Sequence, residues 1–325
     1  MPRYEFFDLK PAIPDMAAEV LHGLSLPAKS IPPKYFYDAE GSRLFDVITD
    51  LPSYYLTRVE TGILRDNRAL IARRVGTGGC LVEYGSGSSV KSRLVIEACE
   101  PAAYVPVDIS RDHLEQSAWA IFDGYPQLAV YPTCADYTTP FELPAPASAL
   151  PRLAFFPGSS IGNFEPGAAS RFLRGVAQVV GSGGWLVLGV DAKKDRAVLD
   201  RAYTDAGGIT EQFNKNLLAN INNAVGADFD LGGFHHQAVY NEGAGRIEMY
   251  LVSERDQRVR VAGTEVAFAE GERLHTENSY KFAPDEFVAI AEQSGFECVD
   301  ILLDDRAYFM VLLLRAHSSS RTGGS

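Results

Sequence analysis

The feature that most constrains the fold is a series of short, continuous apolar runs that alternate with helix-length segments. These runs occupy residues 80–84, 103–107, 128–131, 153–156 and 185–190. Strands that are apolar along their whole length are typical of a parallel sheet that helices cover on both faces. Two further runs, 298–303 and 308–314, follow a helix that begins at Pro284. We therefore predict an α/β fold built on one parallel sheet.

Between residue 195 and Phe282 the pattern changes. Apolar and polar residues alternate there, as in antiparallel strands with one exposed face, in segments 237–240, 246–253 and 257–261. This part therefore interrupts the sheet domain as an insertion. We predict a sheet domain of residues 59–195 and 283–316, a second α+β domain of residues 1–58 and 196–282, and a disordered tail of residues 317–325.

Two helix starts are predicted from capping signals. Ser42 can cap a helix over residues 43–49. Thr57 and Glu60 have the spacing of a capping box, in which each side chain bonds a backbone N–H near the other residue. A long helix to about Val75 is expected to follow this box.

Charge and composition exclude several classes of protein. The chain of 325 residues has 30 Lys and Arg against 42 Asp and Glu, a formal net charge of −12, which does not suit a general nucleic-acid binder. The six histidines show no metal-ligand spacing, and no CxxC pair occurs among Cys80, Cys99, Cys134 and Cys298. We expect a cytoplasmic protein with no metal and no disulfide framework.

No targeting or membrane segment is predicted. The start Met1-Pro2-Arg3 is not followed by an apolar signal run, and no apolar stretch approaches the roughly 20 residues that span a bilayer. We expect neither export nor a membrane partner. Nothing in the sequence implies an oligomer, so a monomer is expected.

Polar and small residues follow the first three apolar runs. The first run ends in the turn Gly85-Ser86-Gly87, where glycine lets a ligand lie against the main chain. The second ends in Asp108, a carboxylate suited to ribose hydroxyls, and the third is followed by Asp136 and Tyr137, suited to an adenine. Each feature alone also fits a structural turn or helix cap. Together, at the carboxyl ends of adjacent parallel strands, they predict a nucleotide or nucleoside site.

The turn favours S-adenosylmethionine over other nucleotides. Val90 stands where a dinucleotide-binding GxGxxG turn requires its third glycine, and no GK[ST] element of a phosphate loop occurs. A dehydrogenase or a phosphate-loop ATPase is therefore disfavoured. S-adenosylmethionine has no phosphates and suits this turn.

Methyl transfer mainly requires that a neutral nucleophile be positioned behind the methyl carbon. If the nucleophile is an amine, hydroxyl and amide groups near it can orient its lone pair and pass its proton to solvent. The candidates are the tyrosines of Tyr35-Phe36-Tyr37 and of Tyr54-Tyr55, Asn163 and Tyr203. One alternative is that the tyrosine rings only pack against apolar neighbours while their hydroxyls contact solvent. Another is that Asn163 is a turn residue before a helix.

Eight dispersed segments, in one order over nearly the whole chain, resemble the L-histidine Nα-methyltransferases of ergothioneine biosynthesis. They are Pro32–Asp38, Leu51–Tyr55, Val82–Gly87, Gly158–Asn163, Arg201–Tyr203, Phe213–Asn216, Arg246–Met249 and Thr276–Phe282. The resemblance implies a class I methyltransferase (Rossmann-like) sheet with a second, substrate-binding domain formed by the N-terminal segment and the insertion. It also implies three successive methylations of the histidine α-amine to hercynine, with S-adenosylmethionine as methyl donor.

The resemblance further implies a role for each site residue. Around the imidazole it places Tyr54, Met249, Glu277 and Ser279. It assigns Asn163 and Tyr203 to the carboxylate and amine end of histidine. It implies that Tyr37 contacts the amine through a water molecule. It assigns the methionine portion of the cofactor to Gly85 and Lys91, next to Ser86 and Gly87, the ribose to Asp108, and the adenine to Asp136 and Tyr137.

Glu277 and Ser279 make chemical sense in that role. Two residues apart on one strand, they point to the same side and can bind the donor and the acceptor nitrogen of an imidazole. From the residues alone, an exposed acid and serine on an edge strand is the simpler interpretation. The remaining alternatives are a methyltransferase of the same fold that acts on another amino acid or biogenic amine, and a non-catalytic nucleotide sensor.

Overall fold

A computed structural model of the chain describes residues 3–10, 15–85 and 90–317. These residues divide into two compact units. The first unit comprises residues 3–10, 58–85, 90–193 and 282–317, and the second comprises residues 15–57 and 194–281.

The strands of the described residues are β1 Phe7–Asp8, β2 Cys80–Tyr84, β3 Ala103–Asp108, β4 Ala129–Val130, β5 Thr133–Cys134, β6 Arg152–Phe156, β7 Trp185–Asp191, β8 Phe234–Asn241, β9 Arg246–Ser253, β10 Gln257–Val261, β11 Thr264–Phe268, β12 Arg273–Tyr280, β13 Phe296–Leu303 and β14 Phe309–Ala316. The α-helices are α1 Met16–Ser25, α2 Ala39–Asp50, α3 Tyr55–Asp66, α4 Arg68–Val75, α5 Val90–Cys99, α6 Arg111–Gly124, α7 Ala145–Ser148, α8 Pro166–Val180, α9 Arg196–Tyr203, α10 Ile209–Val225 and α11 Pro284–Gln293. Short 3-10 helices occupy Pro33–Phe36, Ser160–Asn163 and Leu231–Gly233.

The first unit contains one sheet with the strand order β1-β5-β3-β2-β6-β7-β14-β13, and β4 pairs with β3. Strands β1 to β7 pair in parallel, whereas β14 pairs antiparallel with both β7 and β13. Every residue of β2 is buried, as are all but one of β7. The apolar runs of the sequence therefore reflect strands buried on both faces, and the predicted parallel sheet is confirmed.

The start of the chain differs from the predicted boundary, which placed residues 1–58 with the insertion. Strand β1 pairs in parallel with β5, and the N–H of Leu9 donates to the carbonyl of Cys134. Residues 3–10 therefore belong to the first unit, because they supply an edge strand to its sheet. A strand of two residues is too short to leave a periodic signal. Of the predicted tail, residues 318–325 lie outside the described residues.

The second unit contains an antiparallel sheet of order β12-β9-β8 and a β10–β11 hairpin. The alternating segments thus form antiparallel strands, as the pattern predicts. Helix α10 buries Leu217, Leu218 and Ile221 completely. Strand β11 was not predicted, although the turn before it contains Ala262 and Gly263, both with positive φ (45° and 83°).

Both capping predictions are wrong. The side chain that caps α2 is Asp38, whose Oδ1 accepts a 2.7 Å hydrogen bond from the N–H of Gly41, so the helix begins before Ser42. Helix α3 already begins at Tyr55, which places Thr57 inside it, and it ends at Asp66 instead of continuing to Val75. The acid of the supposed capping box, Glu60, is fully buried and has other partners.

Within the part of the chain that the structure describes, no helix combines the length and the apolar character that crossing a membrane requires.

Candidate functional site

The carboxyl ends of the parallel strands carry the predicted nucleoside residues. Gly85 follows β2 with φ of +69°, a left-handed conformation that favours glycine. Asp108 ends β3, and its Oδ1 accepts a 2.9 Å hydrogen bond from the N–H of Ser110. Burial raises the pKa of Asp108. A carboxylate has about four acceptor positions, so Asp108 retains the capacity to bind ribose hydroxyls.

Tyr137 lies in an aromatic cluster beside the glycine turn. Its ring is 5.9 Å from that of Tyr84, and a Cβ atom added to Gly85 would lie 3.8 Å from its hydroxyl. Burial raises the pKa of both tyrosines, so both hydroxyls stay protonated. The buried hydroxyl of Tyr84 has no hydrogen-bond partner among the described residues. Flat apolar rings with an O–H donor suit a purine.

Asp136, which precedes this cluster, has a local role. Its Oδ1 accepts hydrogen bonds from the backbone N–H and the hydroxyl of Thr138, at 2.9 and 2.6 Å. This is the turn that sequence reasoning offers as the structural alternative for an Asp after a strand. Ser86 and Gly87, predicted cofactor residues, lie outside the described residues.

Lys91 is held by Glu60, a residue that sequence reasoning missed. The ammonium group of Lys91 donates to Glu60 Oε2 at 2.7 Å, and the N–H of Gly158 lies 3.0 and 2.9 Å from the two carboxylate oxygens. The Glu60 side chain has no solvent exposure, and that of Lys91 has 13%. An available signal was that Glu60 falls on the face of α3 that buries Leu56 and Ile63.

The loop after β6 is bent so that it carries Asn163 beyond the end of the sheet. Gly158 has φ of +80° and Ser159 has φ of +59°. A left-handed conformation costs a residue other than glycine about 1–2 kcal/mol. The Ser159 hydroxyl accepts a 2.9 Å hydrogen bond from the N–H of Asp191, which helps to stabilise the bend. The 3-10 helix Ser160–Asn163 then begins.

Three predicted imidazole residues lie together in the second unit. Glu277 and Ser279 are 8% and 5% exposed, and Met249 is 3% exposed. Glu277 and Met249 are direct partners in the β12–β9 register. Directly opposite residues of an antiparallel pair have Cβ atoms about 5 Å apart on one face. The simpler interpretation of an exposed acid and serine is therefore wrong.

Tyr203 and Tyr54 join this group. The hydroxyls of Tyr203 and Ser279 are 2.8 Å apart, and the rings of Tyr203 and Tyr54 are 6.4 Å apart. Both rings are more than nine-tenths buried. The structure thus brings together five of the predicted histidine-binding residues within one unit.

His236 and Asn214 fix the end of α9 that carries Tyr203. Nε2 of His236 lies 2.9 Å from the carbonyl of Tyr203, and its Nδ1 lies 2.8 Å from the amide nitrogen of Asn214. Because the amide nitrogen can only donate, Nδ1 accepts and Nε2 carries the proton. Burial lowers the pKa of His236, which keeps this neutral tautomer.

Tyr37 is 40% exposed and lies in an aromatic cluster of the same unit. Its ring is 5.8 Å from that of Phe45, which in turn is 6.3 Å from that of Tyr54. The next residue, Asp38, accepts a 2.7 Å hydrogen bond from the side chain of Asn216 in α10. Helix α10 therefore helps to fix the position of Tyr37.

Lys281 was not predicted to be a site residue. It is 1% exposed, and its ammonium group donates to the hydroxyls of Tyr203 and Ser279 at 2.7 and 2.8 Å. Burial raises the pKa of Glu277 to about 7, and the charge of Lys281 opposes that rise. The available signal was that Lys281 follows Glu277 and Ser279 at the same two-residue interval, one residue beyond the end of β12, but a lysine is ordinarily expected at the surface.

Comparison with known proteins agrees with this chemistry. The sequence profile of a family of histidine-specific, S-adenosylmethionine-dependent methyltransferases matches residues 16–316. A histidine N-alpha-methyltransferase from Mycolicibacterium smegmatis is 42% identical over 293 residues, which is 86% of this chain and 90% of that protein. Ergothioneine biosynthesis protein 1 from Neurospora crassa is 30% identical over 90% of this chain and 34% of its own length.

The fold has relatives among solved structures. A crystal structure of an S-adenosylmethionine-dependent methyltransferase from Clostridium acetobutylicum has a TM-score of 0.50 to this chain, with 9% sequence identity, over 86% of this chain and 98% of the other. The sheet is therefore that of a class I methyltransferase. The match over residues 16–316, with a 42% identical relative, shows that this chain belongs to the histidine-specific, S-adenosylmethionine-dependent methyltransferase family.

Proposed function

We propose that this chain transfers methyl groups from S-adenosylmethionine to the α-amine of L-histidine. Three successive transfers give hercynine, the first step of ergothioneine biosynthesis. The observation that carries the proposal is the buried carboxylate of Glu277 beside the hydroxyl of Ser279, in a chain of this family. The two similar proteins, a histidine methyltransferase and an ergothioneine biosynthesis protein, support it.

The second unit supplies the recognition of the imidazole. A neutral imidazole has one N–H donor and one acceptor nitrogen. Glu277 accepts from the N–H, and Ser279 donates to the other nitrogen. Met249, opposite Glu277, and Tyr54 pack against the ring. A group that cannot pair with both polar side chains leaves a buried carboxylate or hydroxyl unsatisfied, at a cost of about 1–3 kcal/mol for each.

The first unit supplies the cofactor site. S-adenosylmethionine provides a methyl group on a sulfonium, an excellent leaving group. We propose that Gly85 and Lys91 bind its methionine portion, Asp108 its ribose, and Asp136 and Tyr137 its adenine. The remaining acceptor capacity of Asp108 and the aromatic cluster around Tyr137 support these assignments.

The amine must be held and deprotonated before each transfer. We propose that Asn163 and Tyr203 bind the carboxylate and amine end of histidine, and that Tyr37 accepts the amine proton through a water molecule. The exposure of Tyr37 supports this role, because its hydroxyl can pass the proton to solvent.

We also propose that the protein is a cytoplasmic monomer whose partner is a small molecule. The net charge of −12 supports the lack of a nucleic-acid partner. The described cysteines are free thiols, which suits a reducing compartment.

The test of the proposed function is a mass-resolved methylation assay. Purified protein is incubated with S-adenosylmethionine and each member of a panel of amino acids and biogenic amines. We expect histidine to be the preferred acceptor and its product to be heavier by three methyl groups. Preference for another acceptor would show that the scaffold serves a different substrate. Cofactor binding in calorimetry without methylation of any acceptor would show a sensor.

A further inference from the structure

Lys281, Tyr203 and Ser279 form a closed polar triangle in the second unit. The ammonium nitrogen lies 2.7 Å from the Tyr203 hydroxyl and 2.8 Å from the Ser279 hydroxyl, and the two hydroxyls are 2.8 Å apart. All three side chains are buried. The triangle adjoins Glu277, because Glu277 and Ser279 are two residues apart in β12 and therefore lie on one face of it.

The directions of the hydrogen bonds in this triangle follow from the inventory of donors. An ammonium group has three N–H donors and no acceptor, so both hydroxyl oxygens accept from Lys281. The third side of the triangle uses one of the two hydroxyl hydrogens. Because a phenol is a stronger acid than an aliphatic alcohol, we assign Tyr203 as the donor on that side and Ser279 as the acceptor.

This arrangement leaves the Ser279 hydroxyl able to act toward a ligand only as a hydrogen-bond donor. Its oxygen accepts from both Lys281 and Tyr203, which fills its two acceptor positions. Its own hydrogen is therefore donated outside the triangle. A serine without Lys281 could instead either accept from or donate to a ligand. The ammonium group thus converts an ambivalent hydroxyl into a donor.

Lys281 also affects Glu277, where its positive charge favours the form of the carboxyl group that accepts hydrogen bonds. Burial raises the pKa of Glu277 to about 7, and the charge of Lys281 opposes that rise and so favours the ionised form, which can only accept hydrogen bonds. The two side chains then present one donor and one acceptor. Such a pair matches an imidazole with one unprotonated nitrogen and one N–H. Phenylalanine and other aromatic rings that lack an acceptor nitrogen cannot satisfy Ser279.

We propose that Lys281 is the positioning residue that makes the second unit selective for a neutral imidazole, because it fixes Ser279 as a donor and Glu277 as an acceptor. The inference rests on the proposed function and adds a specificity-determining residue to it. Lys281 acts through its neighbours, so its loss weakens the binding of the ring and leaves cofactor binding intact.

The test compares Lys281→Met with Lys281→Arg and with a matched control, Lys29→Met. Lys29 is another largely buried lysine of the same unit, with 15% side-chain exposure, and it pairs with Glu272. Calorimetry with S-adenosylhomocysteine present measures the Kd of histidine and of phenylalanine without turnover. Steady-state assays give KM and kcat for histidine.

For Lys281→Met we expect the Kd and KM of histidine to rise about tenfold or more, the loss expected for hydrogen bonds to charged groups. The Kd of phenylalanine, the Kd of S-adenosylhomocysteine and kcat stay within about twofold of wild type. Lys281→Arg keeps the charge but displaces the donors, and we expect an intermediate KM. Lys29→Met leaves the KM of histidine unchanged.

An unchanged Kd of histidine in Lys281→Met would overturn the inference, as would an equal loss of affinity for histidine and phenylalanine. If Lys281→Met does not fold, a wild-type KM in Lys281→Arg would overturn it. Failure of the proposed function looks different, since the wild-type protein would then form no methylated histidine at all.

Discussion

Two buried glutamates, one in each unit, share a perturbed acidity and differ in what contacts them. Burial raises the pKa of Glu83 in β2 and of Glu277 in β12 to about 7. Glu83 accepts hydrogen bonds from Tyr104 and Ser92 at 2.6 and 2.8 Å. Glu277 accepts no hydrogen bond from any of the described residues.

The comparison shows that a raised carboxyl pKa marks burial and does not by itself mark a binding site. Glu83 is satisfied within the sheet by Ser92 and Tyr104, next to the glycine turn that follows β2. Glu277 has its acceptor positions available in a polar group that includes the Ser279 hydroxyl. A buried carboxylate is costly unless a partner arrives, so Glu277 is expected to gain that partner from substrate.

The largest effect is expected on catalysis when Glu277 loses its charge. We expect Glu277→Gln to lower kcat/KM for histidine by about 100- to 1,000-fold, about 3–4 kcal/mol, because the amide cannot make the charge-assisted contact with the imidazole N–H. Steady-state kinetics measures this. A kcat/KM within about threefold of wild type would remove Glu277 from the account of recognition.

The next effect is expected on stability when Glu83 is truncated. We expect Glu83→Ala to lower the free energy of unfolding by about 2–3 kcal/mol, because the buried hydroxyls of Tyr104 and Ser92 lose their acceptor. Urea denaturation measures it, and the KM for histidine of the folded protein should not change. Glu83→Gln, which keeps one acceptor, is the matched variant with a smaller loss. A raised KM for histidine in either variant would show that Glu83, like Glu277, affects substrate binding, which would contradict the comparison.

A smaller effect is expected on the pH dependence of stability. The native pKa of Glu277, about 7, lies above its ordinary value of 4.5, so its contribution to stability is complete below pH 4.5 and is lost as the pH rises through 7. Glu277→Gln removes this loss. Relative to wild type, the variant should gain about 1–1.5 kcal/mol between about pH 6 and pH 8. Urea titrations at both pH values give the difference, and a constant difference would show that Glu277 does not titrate there.

The smallest effect is expected at an exposed acid of the same unit. Glu265 pairs with Arg258, and both side chains are more than half exposed. Glu265→Gln should change the free energy of unfolding by less than about 0.5 kcal/mol and leave histidine kinetics unchanged. This variant is the control for Glu277→Gln. A comparable kinetic loss here would indicate that any change of charge in the second unit disturbs activity.

Burial patterns explain what the sequence could predict of the fold. Strands β2 and β7 are apolar except for Glu83 and Asp191, because both faces are covered. Strands β9 and β10 match their predicted bounds residue for residue. Local signals failed where a tertiary contact competes with them. Glu60 has capping spacing, but it is used to bind Lys91 and the Gly158 N–H, two partners distant in sequence.

The residue pattern alone does not predict the roles of Glu277 and Ser279. Their two-residue interval places both on one face, but an exposed acid and serine is the simpler interpretation of that pattern, and only the resemblance assigns the two residues to the imidazole. The structure has both side chains buried. Lys281 continues the same interval, yet composition gives no indication that a lysine will be buried. Its burial depends on the Tyr203 hydroxyl, supplied by a helix that is far away in sequence.

The most direct test of the central claim is a one-pot competition. Wild-type protein and Glu277→Gln are each given S-adenosylmethionine with equal amounts of histidine, tryptophan and phenylalanine, and the products are resolved by mass. We predict that the wild-type protein methylates histidine almost alone and that Glu277→Gln loses most of this preference. An undiminished preference for histidine in Glu277→Gln, or a wild-type preference for another amino acid, would contradict the account.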